Sequence, residues 1–486
     1  MKKIIYSLML GSAALLTTAC ADFTEIQPKG ENLLSTTDDL ALLLNSDTYD
    51  GVSSMNTRRV GANIIYAYSD VSVPLTVDNK STAAIYNGYF DDQENLTRLA
   101  VQANTDGQYT SCYNIIGRVS NPILKQLDMA SGPEATKNAL KAEALVARAF
   151  CHFMVFQRFA AAYNGSNGDE GAIIYMKEDM NIMEQHPKNT IQECYDNMLQ
   201  DVNDALALNA LPDKALNFMR WDKKAALALK AHILMGMRNY TEAEATAKQV
   251  LGITNTLFDY YANVEEAHGM LGNTYFVVPI DDRNNPETLF MIPDMNYYSW
   301  VAPSEWNWME EEYGRRGTSD VMSKQYAGFI YQGRDYSDYG ASIGLPGWNA
   351  AMDFDHYQNK AGLSVPQMYL FIAECELRSG NIGTAMNWLD QLRAKRLPEG
   401  FEKLEGTVTT KADAIEWLKK TVAAEYLWTD WTYYTRKRWN VESEWATTLS
   451  HTIGGKTYTL RPDSKLWIFP FPVNATEKNT NLTNNW

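Results

Sequence analysis

The chain has 486 residues, 45% of them hydrophobic, and a formal net charge of −16, so it carries enough apolar material for one large core or two smaller ones. An acidic chain repels phosphate backbones and anionic lipid, which excludes nucleic acid as an expected partner. Beyond the first twenty residues no stretch is apolar enough to span a bilayer.

Lys2 and Lys3 precede an apolar run over residues 4–16, and Thr17, Thr18 and Ala19 lead to Cys20. That order of charge, apolar run and small residues is a secretory signal. The run is shorter than the roughly 20 residues a spanning helix needs. Cys20 stands where acylation would create a new N-terminus, so the expectation is a lipoprotein signal over residues 1–19 and lipidation at Cys20. Leu16 lies four residues before the cysteine, where such signals usually place it three before. More than one acyl chain anchors firmly. Loss of residues 1–19 removes Lys2 and Lys3 and no acid, leaving 41 basic against 59 acidic residues, or −18. Cys112, Cys151, Cys194 and Cys375 are widely spaced with no CxxC pair, which argues against zinc. Cys151 and Cys375 fall in helical patterns and read as small buried apolar residues.

Residues 21–35 read as an extended tether, and residues 36–44 as a short helix capped by Thr36 or Thr37. Residues 45–105 are irregular. A helix starts at Asp106 or Thr110 and ends near Ala130, with Tyr113, Ile116, Ile123, Leu124 and Leu127 on its apolar face. Residues 133–159, 190–210 and 222–230 continue the helical series. Ala231, Asn239 and Ala243 recur as Ala373, Asn381 and Ala385, all at an offset of 142. Each copy reads as helix, tight turn and second helix opened by a small residue, the tetratricopeptide unit. A β-hairpin is expected after Trp439, with 451–453 and 456–458 flanking Gly454 and Gly455. The fold class is therefore mainly α: a tetratricopeptide-like scaffold of helical hairpins with large irregular insertions and a small C-terminal β-hairpin. The expected organisation is one domain over 20–486. Its helical N-terminal part is 20–254, and its C-terminal part, 255–486, carries an insertion over 255–365.

Three patterns that resemble catalytic motifs have plainer readings. Gly340, Ser342 and Gly344 fit G-x-S-x-G, but polar residues precede them and Pro346-Gly347 follows, so the strand and helix that project such a serine are missing. Gly454 to Thr457 resembles the end of a phosphate loop but reads as a hairpin turn. Glu310, Glu311 and Glu312 run consecutively and cannot all face one point on a helix, so they read as a solvated face and not as a glycosidase pair. Asp353 and Asp355 lack the glycine of an EF-hand loop. No metal or cofactor is expected.

The aromatic residues are more informative. Residues 295–357 hold four Trp, eight Tyr and two Phe, 14 of 63, against 12% aromatics for the whole chain. Seven glycines accompany them, a mixture unlike an apolar core. Flat rings stack on the C–H faces of sugars, so the candidate ligand-binding residues are Trp306 and Trp308, with Trp300, Tyr297 and Tyr298. Tyr66, Tyr68 and Asp70, with Tyr86 and Tyr89, form a second cluster.

Four segments, in chain order, resemble the SusD/RagB family of outer-membrane lipoproteins. Residues 142–160 look like its Arg-Ala helix, with Arg148, Ala149 and Phe159. Residues 365–381 are similar to its Ala-Glu-Ala helix, here Ala373, Glu374 and Cys375. Residues 425–440 match at Glu425, Arg438 and Trp439, but Thr429, Thr432 and Thr435 replace the usual Glu, Arg and Asp, so a polar network is expected to be weakened and the helix packed differently. Residues 469–486 resemble its Pro-containing strand and Asn-rich tail, with Asn479, Asn481, Leu482, Asn485 and Trp486. The resemblance implies a non-enzymatic, lipid-anchored protein of the outer membrane, facing the cell exterior. It implies capture of oligosaccharides and delivery to a SusC-like TonB-dependent transporter. The competing readings are a peptide-binding member of the family, a surface glycoside hydrolase and a structural lipoprotein.

Overall fold

The computed structural model describes residues 34–45, 72–73, 104–263, 265–268, 274–277, 282–294, 297–301, 349–353, 358–397, 399–426, 429–453 and 456–486. Helix α1 (Thr37–Leu43) opens on a capping box: the Thr36 hydroxyl accepts from Asp39 N–H at 3.1 Å, and the Asp39 carboxylate accepts from Thr36 N–H at 3.0 Å. Helix α2 (Gly107–Ile115) starts at Asp106, whose carboxylate accepts from Tyr109 N–H at 2.8 Å. The sequence reads as one helix onward from there, but the structure widens into a π-helical turn over Ile116–Ser120 before α3 (Asn121–Gln126). Pro122 is the physical reason. It has no N–H to give the carbonyl four residues back, and its ring crowds that carbonyl.

Helix α4 (Glu134–Phe159) is the central rod, buried almost continuously from Ala142 to Phe156. Helix α5 (Ile191–Ala207) starts on a second capping box, Thr190 with Glu193. Helix α6 (Lys223–Gly236) is capped by Asp222 and continues past the expected Lys230 through Ala231 and His232 to Gly236. It is followed by α7 (Tyr240–Ile253). After the insertion come α8 (Val365–Arg378), α9 (Ile382–Arg393), α10 (Lys411–Glu425), α11 (Asp430–Trp439) and α12 (Val473–Lys478). Each helix from α4 to α9 packs on the next, α7 against α8 included. The insertion between α7 and α8 therefore leaves the helical stack unbroken.

The two repeat copies share their turn geometry. Arg238 and its counterpart Gly380 both have left-handed backbones, with φ of 62° and 85°. Asn239 follows at φ −85°, ψ 69° and Asn381 at φ −89°, ψ 65°. Asn239 N–H donates to Leu234 O at 3.0 Å and Asn381 N–H to Glu376 O at 2.8 Å. Ala231, Ala243, Ala373 and Ala385 are all fully buried, as small residues at close helix–helix contacts must be.

The insertion leaves and returns as a nested antiparallel ladder. Strand β4 (Thr288–Phe290) pairs with β9 (Leu363–Ser364), β5 (Pro293–Asp294) with β8 (Gln358–Asn359), and β6 (Tyr297–Val301) with β7 (Asn349–Asp353). A two-residue strand from the N-terminal part, β1 (Ser72–Val73), adds to the outer edge of β6. Strands β2 (Glu265–His268) and β3 (Thr274–Val277) form a separate hairpin. The expected C-terminal hairpin is present and longer than its sequence signal, with β10 (Leu449–Ile453) paired to β11 (Lys456–Leu460).

The family resemblance leads one to expect a strand in the C-terminal tail, and residues 468–472 form none. Pro470 and Pro472 carry no N–H for a ladder. The two N–H donors beside them go elsewhere, Phe469 N–H to Arg158 O at 3.0 Å and Phe471 N–H to the Asn484 side chain at 2.9 Å. The asparagines seal backbone groups the fold leaves open. Asn485 Nδ2 donates to Phe159 O and Ala172 O, at 2.7 and 2.6 Å, and Asn479 Nδ2 to His186 O at 2.8 Å.

Candidate functional site

Strand β6 ends at Val301 and β7 begins at Asn349, and these two residues are partners in the ladder. The segment 302–348, which holds most of the aromatic-rich window, is thus launched and received by one strand pair. Strand β1 meets β6 with Ser72 opposite Val301 and Val73 opposite Trp300. Ser72 and Val73, two and three residues after Asp70, therefore join the same sheet as Tyr297, Tyr298 and Trp300. Of the candidate ligand residues, Tyr297, Tyr298 and Trp300 lie on β6, opposite Asp353, Met352 and Ala350. Trp306, Trp308, Tyr66, Tyr68 and Asp70 lie outside the described residues, as do Cys20, the 340–344 motif and Glu310 to Glu312.

The base of this ladder is fixed by groups the sequence does not single out. Asn359 Oδ1 accepts from Ile292 N–H and Gly362 N–H, both at 3.0 Å, and its Nδ2 donates to Phe290 O at 3.0 Å. A Cβ on Gly362 would lie 2.1 Å from Phe290 O, so only glycine admits the strand there. Gly362 O accepts from Trp431 Nε1 at 2.8 Å and Gln367 Nε2 at 3.2 Å. Phe290 stacks on Trp221 at 3.7 Å between ring centroids and meets Phe150 of α4 at 5.3 Å. The β4–β9 pair at the base of the ladder is thereby rooted in the main core.

Beside this root, Arg396 bridges two buried carboxylates. Its Nη2 lies 3.0 Å from Glu287 Oε1 and 3.0 Å from Glu425 Oε2, and its Nε lies 2.8 Å from Glu425 Oε1. Phe258 N–H donates to Glu287 Oε1 at 2.9 Å. Burial pushes the Glu287 carboxyl up to about 7, against the pull of Arg396 and reinforced by Glu425.

The residues that carry the family resemblance hold the scaffold together. Arg148 is bidentate to Asp201 at 2.7 and 2.8 Å, also meets Glu178, and reaches Asn121 at 3.2 Å, tying α4 to α5. Glu374 receives two hydrogen bonds from Arg438, at 2.6 and 2.7 Å, and one from Arg378 at 2.9 Å. Around α11, Glu425 and Arg438 pair with Arg396, just beyond α9, and with Glu374 of α8, while Thr429 and Thr432 bond the backbone. Thr429 and Thr432 hydroxyls donate to Tyr426 O at 2.8 and 2.6 Å. His152 is buried, accepts from Met176 N–H at 2.9 Å and stacks on Tyr175 at 3.8 Å. Burial holds its imidazole down at about 3, so it is a neutral structural side chain. Cys112, Cys151, Cys194 and Cys375 are buried free thiols. Among the described residues, no His, Cys, Asp and Glu group is placed to hold a metal, and no helix is long and apolar enough to cross a membrane.

Residues 36–235 match a SusD-like family described as starch-binding and associating with the outer membrane. No curated protein matches the sequence. Similar solved structures include a putative sugar binding protein from Bacteroides vulgatus, 18% identical with a TM-score of 0.64, over 94% of this chain and 99% of that one. A SusD superfamily protein from Bacteroides thetaiotaomicron is 15% identical with a TM-score of 0.66, over 93% and 100%. A SusD-like carbohydrate binding protein from Bacteroides fragilis is 14% identical with a TM-score of 0.65, over 92% and 99%. The fold is that of the SusD-like proteins. Residues 36–235 are thus similar to that family in sequence, and the chain as a whole shares the SusD-like fold.

Proposed function

We propose that the protein is a cell-surface lipoprotein of the outer membrane that captures glycans and hands them to a SusC-like TonB-dependent transporter, without acting on them chemically. The observation that carries the glycan reading is the β1–β6–β7 sheet, in which Ser72 and Val73, two and three residues after Asp70, pair beside the strand that holds Tyr297, Tyr298 and Trp300. The family description, starch-binding and associating with the outer membrane, supports it. So do two similar structures described as a sugar binding and a carbohydrate binding protein. Cys20 is the proposed lipidation site and fixes the chain to the membrane. Trp306 and Trp308, with Trp300, Tyr297 and Tyr298, are the proposed stacking surface, and Tyr66, Tyr68 and Asp70 its second edge.

A binding screen of glycans and peptides on the form lacking residues 1–20 tests this reading. A glycan that binds and is recovered intact after long incubation supports it. Peptide binding alone would make the chain a peptide-capturing relative. Steady product formation abolished by Glu311→Gln or Ser342→Ala would make it an enzyme.

A further inference from the structure

The cluster at the root of the ladder has an unusual charge count. Glu287, Arg396 and Glu425 have side chains 6%, 3% and 8% exposed. Two buried carboxylates thus share one guanidinium. With both ionised, the cluster holds a net negative charge out of contact with water, which buried sites resist by retaining a proton. The described charged and titratable groups nearby include Lys360, buried in the same root segment. Tyr260 lies with its ring 4.4 Å from the Arg396 guanidinium and is itself neutral, its hydroxyl pushed up by burial and by Glu287. Lys395 is paired with Asp259 at 3.0 Å. Asp282 is a further acid on the Glu287 side, where it accepts from Asn285 Nδ2 at 3.2 Å and Asn359 N–H at 2.8 Å. Tyr369 of α8 also faces Glu287.

The cluster also sits where four chain segments meet. Glu287 immediately precedes β4 and accepts Phe258 N–H through its side chain at 2.9 Å. Its backbone oxygen accepts Val365 N–H, the first residue of α8, at 2.8 Å. Arg396 follows α9, donates also to Phe258 O at 2.9 Å, and reaches the last residue of α10 through Glu425.

We propose that Glu287, Arg396 and Glu425 form a proton-operated latch, which seats the base of the insertion while the cluster holds one proton and loosens it when that proton is lost. The sign follows from linkage. A carboxyl whose pKa is raised in the closed state stabilises that state fully below its open-state value near 4.5, and the contribution is lost as pH rises toward about 7. Opening of the root therefore becomes easier from pH 5 to pH 8, and changes little above that. The latch acts whatever the insertion binds.

Amide hydrogen exchange on the full chain in detergent tests this, read as protection factors so that intrinsic rates cancel. Peptides covering 255–263, 282–294 and 358–365 are expected to lose at least about tenfold in protection between pH 5 and pH 8, since a tenfold change in proton affinity between closed and open states carries a tenfold change in their ratio. Peptides from α4 and α5 should not follow. Glu287→Gln and Glu425→Gln each leave one carboxylate on Arg396 and should flatten the profile. Equal root protection at both pH values in the wild type overturns the proposal, and so does a wild-type slope retained in either variant. If a variant does not fold, the wild-type profile decides alone: a change centred near pH 7 supports the latch, and one centred below pH 5 overturns it.

Discussion

Glu374 is 2% exposed and lies against two guanidinium groups. Arg438 and Arg378 hold its carboxyl down at about 2, against the penalty of burial. The folded-state value is depressed, so its stabilisation is present above the unfolded value near 4.5 and is lost as pH falls toward 2. Removing one partner of a buried pair strands the other charge, at about 3–5 kcal/mol. Glu374→Gln should therefore lower the urea midpoint at pH 7 strongly, and the gap to wild type should narrow between pH 4.5 and pH 3. An equal gap at both ends would mean that charge is not what Glu374 contributes. Arg148, Glu374, Glu425 and Arg438 were all legible in the sequence as family positions. Their partners Asp201, Arg378 and Arg396 were not, because nothing in the sequence marks which of many charged residues will be brought together.

At the scale of elements, the repeat makes two checkable statements. Ala243 and Ala385 are fully buried where each hairpin's helices meet. Ala243→Leu and Ala385→Leu should each cost about 1–3 kcal/mol by overpacking, read as a lower melting temperature. Gly380 has φ 85° with open space where a Cβ would go. Gly380→Ala should thus cost about 1–2 kcal/mol from backbone strain alone. A neutral outcome there would contradict the left-handed turn. The same position in the other copy is Arg238, which bears that strain and compensates in part through its contact with Glu442 at 3.2 Å. Helix periodicity and caps were readable because Thr36, Asp106, Thr190 and Asp222 act within three residues of themselves. The π-helical turn is also local, and Pro122 is the signal that could have revealed it.

At the scale of the whole molecule, the ligand surface and the anchor are the features to test. Trp306→Ala and Trp308→Ala should each weaken glycan binding roughly tenfold, about 1 kcal/mol or more per stacked ring, and leave the melting temperature unchanged. Normal binding by both variants would shift the site to Tyr66 and Tyr68 or remove the glycan reading. Cys20→Ala should release folded protein into the soluble fraction and abolish labelling by a palmitate analogue. Retention of both membrane association and label would place the anchor elsewhere.

The sequence by itself determined the helical class, the paired hairpins at an offset of 142, the C-terminal β-hairpin and the resemblance to the SusD/RagB family, because each rests on periodicity, capping or motifs that act over a few residues. Only the tertiary structure decided that α7 packs on α8 across the intervening insertion. It alone revealed the nested ladder, with β1 joining β6 from more than two hundred positions earlier in the chain. The root of that ladder rests on Asn359, Gly362, Glu287 and Arg396, which have no local pattern. Pairing between distant segments is set by burial and hydrogen-bond satisfaction in the folded chain, and a linear sequence does not record which distant groups will satisfy one another.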